Sequence, residues 1–218
     1  MGDFRLQPKH TLVVGMTGSG KTTFVNRYLL NCAPACRFIF DDLNRVWPRL
    51  RLKPCYTVAE LEAHLPDRWV IFNHERMFSL VNFRSERGSP TPEHAAFRWW
   101  CGWVNEVSKR GPGSKIVCAP EMWRFCTPDS IPREFAMLVQ AGRELGVELV
   151  LDTQRPEMLN ASITGSITEL VCFKLKSREA LKAVTDLGAD PDLVEALPLG
   201  SFVSYNQLSN ETLTGRIF

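Results

Sequence analysis

Leu12-Val13-Val14-Gly15-Met16-Thr17-Gly18-Ser19-Gly20-Lys21-Thr22-Thr23 is an apolar run that breaks into glycines and then into a lysine and two threonines. It matches the spacing G-x-x-x-x-G-K-[ST] in full, with a strand-like run before it and a helix-like one after it. Glycines at 15, 18 and 20 let successive backbone N–H groups turn inward toward phosphate oxygens, and the helix that follows adds the positive end of its dipole. Lys21 is placed to reach the β- and γ-phosphates, and the Thr22 hydroxyl to take one position on Mg²⁺. The stretch Gly15, Met16, Thr17, Gly18, Ser19, Gly20, Lys21, Thr22 and Thr23 is therefore the expected cradle for a nucleoside triphosphate, ATP with Mg²⁺.

The 218 residues suit one α/β domain spanning 1–218, because single cores keep growing to about 250 residues before a chain divides. Hydrophobic residues at 44%, charged residues at 23% and a formal charge of +2 are ordinary for a globular protein and give no chain-wide polyanion signature. A nucleic-acid surface must therefore be local. No run approaches the roughly 18 apolar residues of a membrane span, and the first residues carry no signal-peptide core, so a cytoplasmic protein without a membrane span is expected. Seven cysteines in apolar contexts fit buried thiols in a reducing compartment better than a disulfide framework. Cys32 and Cys36 have a spacing a metal could use, but no second ligand pair follows.

Outward from the first motif, residues 21–31 read as a helix and 37–40 as a second strand that ends in Asp41-Asp42. Carboxylates at the C-terminal end of a parallel strand sit on the ligand edge, so Asp41 or Asp42 is a candidate for organising water and Mg²⁺, or simply begins a turn. Residues 57–65 read as a helix with Thr57 and Glu60 as a capping box, and 69–72 as a buried strand. The segment 74–92 is irregular and carries Arg84 and Arg87. From 93 to 110, Ala96, Trp100, Trp103, Val104 and Val107 recur at helical steps; core packing suits these tryptophans better than base stacking. Residues 131–145 and 178–187 read as helices, 157–167 as a short helix, 169–175 as a strand, and 198–205 with 211–218 as a terminal β-hairpin.

Lys115-Ile116-Val117-Cys118-Ala119 reads as a strand followed by Pro120-Glu121. In many phosphate-loop ATPases such a strand ends in Asp-Glu, the Asp orienting Mg²⁺ and the Glu polarising the attacking water. Glu121 is in place as that base, whereas Pro120 occupies the Asp position and cannot serve a metal. A further strand, 147–153, ends in Thr153-Gln154, an amide suited to holding the water or sensing the γ-phosphate.

Gly142-Arg143-Glu144-Leu145-Gly146 followed by Thr153-Gln154-Arg155-Pro156, in series with Gly15–Thr22 and Glu121, resembles the signature of the FtsK/HerA superfamily of DNA-pumping ATPases over residues 11–175. The resemblance implies a RecA-like (ASCE) fold with a mainly parallel sheet flanked by helices. It also implies ATP hydrolysis coupled to movement along double-stranded DNA, a homo-oligomeric ring, and an arginine finger given across the subunit interface. Arg143 stands where that finger's motif falls, with Arg155 as the fallback. With neither a membrane region nor a preceding β-barrel domain, the bare motor is most similar to genome-packaging ATPases of membrane-containing icosahedral viruses. Capsid or portal-vertex proteins are then candidate partners. Loops facing a pore would grip DNA phosphates, with Arg84 and Arg87 as candidates. Other readings remain at this point: a cellular or conjugative DNA-pumping ATPase of the same superfamily, a kinase with an acceptor site, and an assembly protein that binds ATP but barely hydrolyses it.

Overall fold

The computed structural model describes residues 9–32, 35–43, 45–74 and 91–218, apart from the side chain at position 47. Eight strands join in one sheet: β1 (Thr11–Val14), β2 (Cys36–Phe40), β3 (Trp69–Phe72), β4 (Lys115–Ala119), β5 (Val147–Thr153), β6 (Glu169–Phe173), β7 (Ser201–Asn206) and β8 (Thr212–Arg216). Their order is β3-β2-β4-β5-β1-β6-β7-β8. The first six are parallel, while β7 and β8 run antiparallel as a C-terminal hairpin. This is the expected α/β architecture, and β5 lies between β1 and β4.

The six parallel strands are largely apolar because both of their faces are covered. Alternate residues feed two layers. Val13, Ile39, Cys118, Val150 and Val171 pack with Val25 and Leu29 of helix α1 (Lys21–Asn31) and sit beside the short α2 (Trp47–Leu50). Leu12, Phe38, Phe40, Val117 and Leu149 face the opposite layer. That layer is built from α3 (Val58–Ala63), α4 (Pro92–Lys109), α5 (Arg133–Ala141), α6 (Ala161–Thr164), α7 (Arg178–Thr185) and α8 (Pro191–Ala196). Trp100 and Trp103 are buried there, so the tryptophan stripe is core. Thr57 and Glu60 form the expected capping box, which satisfies orphan N–H groups at both ends of the motif.

Two expectations are corrected, and a third lies outside the described residues. Helix α5 stops at Ala141 and continues only as a 3-10 turn, Gly142–Leu145, because Gly146 must turn left-handed (φ 72) to enter β5. Residues 157–167 do not form one helix: a 3-10 turn at Pro156–Met158 is separated from α6 by Leu159 and Asn160, whose side chain caps a new start. The expectation for 74–92, with Arg84 and Arg87, falls almost wholly on 75–90, outside the described residues. Five cysteines are buried and all seven are free thiols. Among the described residues no three His, Cys, Asp or Glu side chains converge as a metal site. No described helix is long and apolar enough to cross a membrane.

Candidate functional site

Parallel pairing brings the C-terminal ends of β1, β5 and β4 to one edge, and the three motifs follow those ends directly. After β1 the chain turns through Gly15–Gly20 into α1. At Gly20 the backbone is left-handed (φ 114), and a Cβ there would lie 2.3 Å from Ile217 Cδ1. A Cβ on Gly15 would collide with Phe173 Cβ at 2.6 Å. The loop is pinned by Met16 N–H to Lys174 O (2.9 Å) and Gly200 N–H to Ser19 O (3.1 Å). Helix α1 has no side-chain cap and no acid in its first turn. Its leading N–H groups and dipole are thus left for an anion.

Lys21 is buried, and its ammonium donates to Gly15 O (2.7 Å) and Met16 O (3.2 Å). Burial lowers its pKa, opposed by the nearby charges of Asp152 and Glu121. Ser19 Oγ is buried with no hydrogen-bond partner. An unpartnered hydroxyl, a lysine with a third donor free and glycine-only turns all fit a polyphosphate.

Glu121 is almost wholly buried and left-handed (φ 52). The segment after it is fastened by Met122 and by Phe125, whose ring stacks on Phe97 at 4.4 Å between centroids. The Glu121 carboxylate accepts from Arg45 Nη1 (2.9 Å) and Gln154 Nε2 on Oε1, and from Trp123 Nε1 (3.1 Å) on Oε2. Burial raises its pKa, but these bonds and the Lys21 charge outweigh burial and hold it below the usual range. Gln154 Oε1 in turn accepts from Thr17 Oγ1 at 2.5 Å. One amide therefore links the phosphate loop to the acid.

Together Thr17, Gly18, Gly20, Lys21, Thr22, Thr23, Glu121 and Gln154 line a cleft of about 540 Å³ with Arg45, Pro48, Arg49 and Phe218. A larger hollow of about 650 Å³ lies between α4 and α5. It gathers none of the motif residues, which all line the smaller cleft.

The sequence did not single out Arg45, Arg49 or Asp152. Arg49 Nη1 donates to Thr23 Oγ1 (3.0 Å). Asp152 is buried on β5, accepts the Glu121 N–H on Oδ1 (2.7 Å), and is pushed up by burial to about 6. An acid directly after the apolar triplet Leu149–Leu151 was the available signal for it. Neither strand-end carboxylate of β2 is free. Asp41 accepts the backbone N–H groups of Arg45 (2.8 Å) and Val46 (2.9 Å), fixing the turn that aims Arg45. Asp42 pairs with Arg124.

The two candidate fingers lie at opposite ends of the sheet. Arg155 follows Gln154, with its guanidinium over the Trp123 ring at 5.0 Å. Arg143 precedes β5, about 20 Å of strand away at 3.3 Å per residue. Its Nη2 donates to Ser166 O (2.8 Å), and its buried Nε has no partner. It does not reach the cleft of its own chain.

No protein-family model matches the chain. Protein P9 of Pseudoalteromonas phage PM2 is 25% identical over 179 residues, covering 81% of this chain and 73% of that protein. DNA translocase FtsK 1 of Neisseria meningitidis serogroup A is 22% identical over 227 residues, covering 87% of this chain but only 26% of its own length. The genome packaging NTPase B204 of Sulfolobus turreted icosahedral virus 2, in complex with AMP, superposes with a TM-score of 0.75 at 14% identity, covering 97% of this chain and 98% of that one. B204 is also known with AMPPCP and with ATP-gammaS. The resemblance to FtsK/HerA-like packaging ATPases thus extends from the motifs to the fold.

Proposed function

We propose that this chain is an ATPase that drives double-stranded DNA through a homo-oligomeric ring, packaging a viral genome. The observation that supports this most is the convergence of the phosphate loop, Glu121 and Gln154 around one cleft, each from a separate parallel strand. The relatives add weight: one is a DNA translocase, and a structural neighbour is a genome packaging NTPase.

In this reading the loop N–H groups and Lys21 take the β- and γ-phosphates, Lys21 exchanging its bonds to Gly15 O and Met16 O for phosphate oxygens. The Thr22 hydroxyl is the direct protein ligand for Mg²⁺, which when bound neutralises phosphate charge during transfer. Glu121 is ionised and already accepts three donors, which leaves about one of its four lone-pair positions for the attacking water. It orients that water and takes its proton. Gln154, bonded to both Thr17 and Glu121, is placed to transmit occupancy of the γ-phosphate position to the base. Arg143 completes the cleft of a neighbouring subunit, meeting developing charge with a permanently charged fork. DNA is held through its phosphates, since a pump must ignore sequence.

The test is ATP turnover of the full chain with and without double-stranded DNA. Stimulation by DNA that is independent of its sequence supports the motor. ATP hydrolysis that DNA does not change, or no hydrolysis at all, overturns it.

A further inference from the structure

Phosphate-loop ATPases hold their metal with the loop threonine or serine and an aspartate at the end of the second-motif strand. Here that position is Pro120, and Asp41 and Asp42 are both engaged elsewhere. The strand pairing locates a substitute. β4 and β5 run in register from Lys115 beside Val147 to Ala119 beside Leu151, so the next step sets Pro120 beside Asp152. Alternation fixes the face. Cys118 and Val150 lie in the layer under α1, whereas Leu151 and Ala119 lie in the opposite one. Side chains at 120 and 152 therefore return to the α1 side, where the phosphate loop delivers Lys21 and Thr22.

Asp152 is also paired with Val13 of β1, two residues before Gly15. A carboxylate buried in an apolar strand is costly unless it serves a partner. One oxygen of Asp152 holds the Glu121 N–H, and of the acids near Lys21 it is the one whose charge acts most on the ammonium. Mg²⁺ suits this arrangement, because it keeps several waters and needs only one or two protein oxygens besides the phosphates.

We propose that Asp152 supplies, from the adjacent strand, the carboxylate that position 120 lacks, and holds through water the Mg²⁺ bound by Thr22 and the nucleotide. This rests on the Mg²⁺-ATPase reading of the cleft. Asp152 then has two tasks on one side chain, orienting the Glu121 backbone and the metal's water shell.

The experiment measures affinity of the full chain for the non-hydrolysable nucleotide AMPPCP, first in EDTA and then across a Mg²⁺ titration. Its subjects are the wild type, Asp152→Asn, and Asp152→Ala combined with Pro120→Asp. The expected result is an apparent Mg²⁺ affinity lowered about tenfold or more in Asp152→Asn, the loss usual for an outer-shell partner, with affinity in EDTA not reduced, since the change removes a negative charge beside Lys21. Moving the carboxylate back to position 120 in the double variant should restore the Mg²⁺ response. An unaltered Mg²⁺ titration in Asp152→Asn overturns the proposal. So does an equal loss with and without Mg²⁺, which marks a purely structural acid. A wild type whose nucleotide affinity ignores Mg²⁺ overturns the Mg²⁺-ATPase reading itself.

Discussion

At Glu121 the chain adopts a left-handed backbone that costs a non-glycine residue about 1–2 kcal/mol. Burial of Met122 and Phe125 just beyond it holds the conformation in place. The strain aims a single carboxylate at the cleft, so its chemistry can be separated from its packing. Glu121→Gln keeps the size and still accepts from Arg45, but cannot take a proton. Turnover should fall by about 100-fold or more, with nucleotide affinity retained in equilibrium binding. Wild-type turnover in that variant would remove the assigned role. Glu121 and Gln154 were legible in the sequence because each stands at a fixed offset from an apolar strand. Arg45 was not, because its reach to Glu121 depends on how the Asp41 carboxylate folds the intervening turn.

Among the elements, the parallel strands were the most legible, because burial on both faces makes them short, mostly apolar runs. The turns between later elements were less so: Asn160 and Pro156 punctuate a stretch whose composition reads as helical. His10 shows what pattern alone misses. Fully buried at the start of β1, it joins three other elements. Its Nδ1 accepts the Leu149 N–H of β5 (3.2 Å), its Nε2 is 3.3 Å from Val139 O of α5, and its backbone N–H donates to Thr168 Oγ1 (3.0 Å) before β6. Only a neutral ring with its proton on Nε2 satisfies both side-chain contacts. Burial, with the Arg143 charge behind it, lowers its pKa from 6.5 to about 4. The folded state thus resists protonation that the unfolded state accepts, and stability from this group is lost as pH falls from 6.5 toward 4. Urea denaturation should show about 2 kcal/mol more loss between pH 7.5 and pH 5 in the wild type than in His10→Gln. Equal losses would show that the ring is not held neutral.

At the scale of the whole molecule, the sheet separates two ends. The cleft occupies one, and the turn carrying Arg143 lies at the other, so any part Arg143 plays in hydrolysis must be played in a second subunit's cleft. Lys21→Ala and Arg143→Ala should each be inactive alone, yet a mixture should regain part of the wild-type ATPase rate. In the mixture some interfaces join an intact loop to an intact arginine. Full activity of Arg143→Ala alone, or a mixture that stays inactive, would rule the arrangement out. The motif around Arg143 could be recognised in the sequence, but its distance from the chain's own cleft followed only from the length and direction of β5.

The hairpin at the far edge of the sheet returns the chain to its beginning: Ile217 packs against the Gly20 backbone, and Phe218 lines the cleft. A peptide handle joined after Phe218 would emerge at the cleft's mouth and compete with the ligand entering there. A small fluorophore attached at the same point would instead change its emission as nucleotide arrives, turning the tail into a gauge of occupancy.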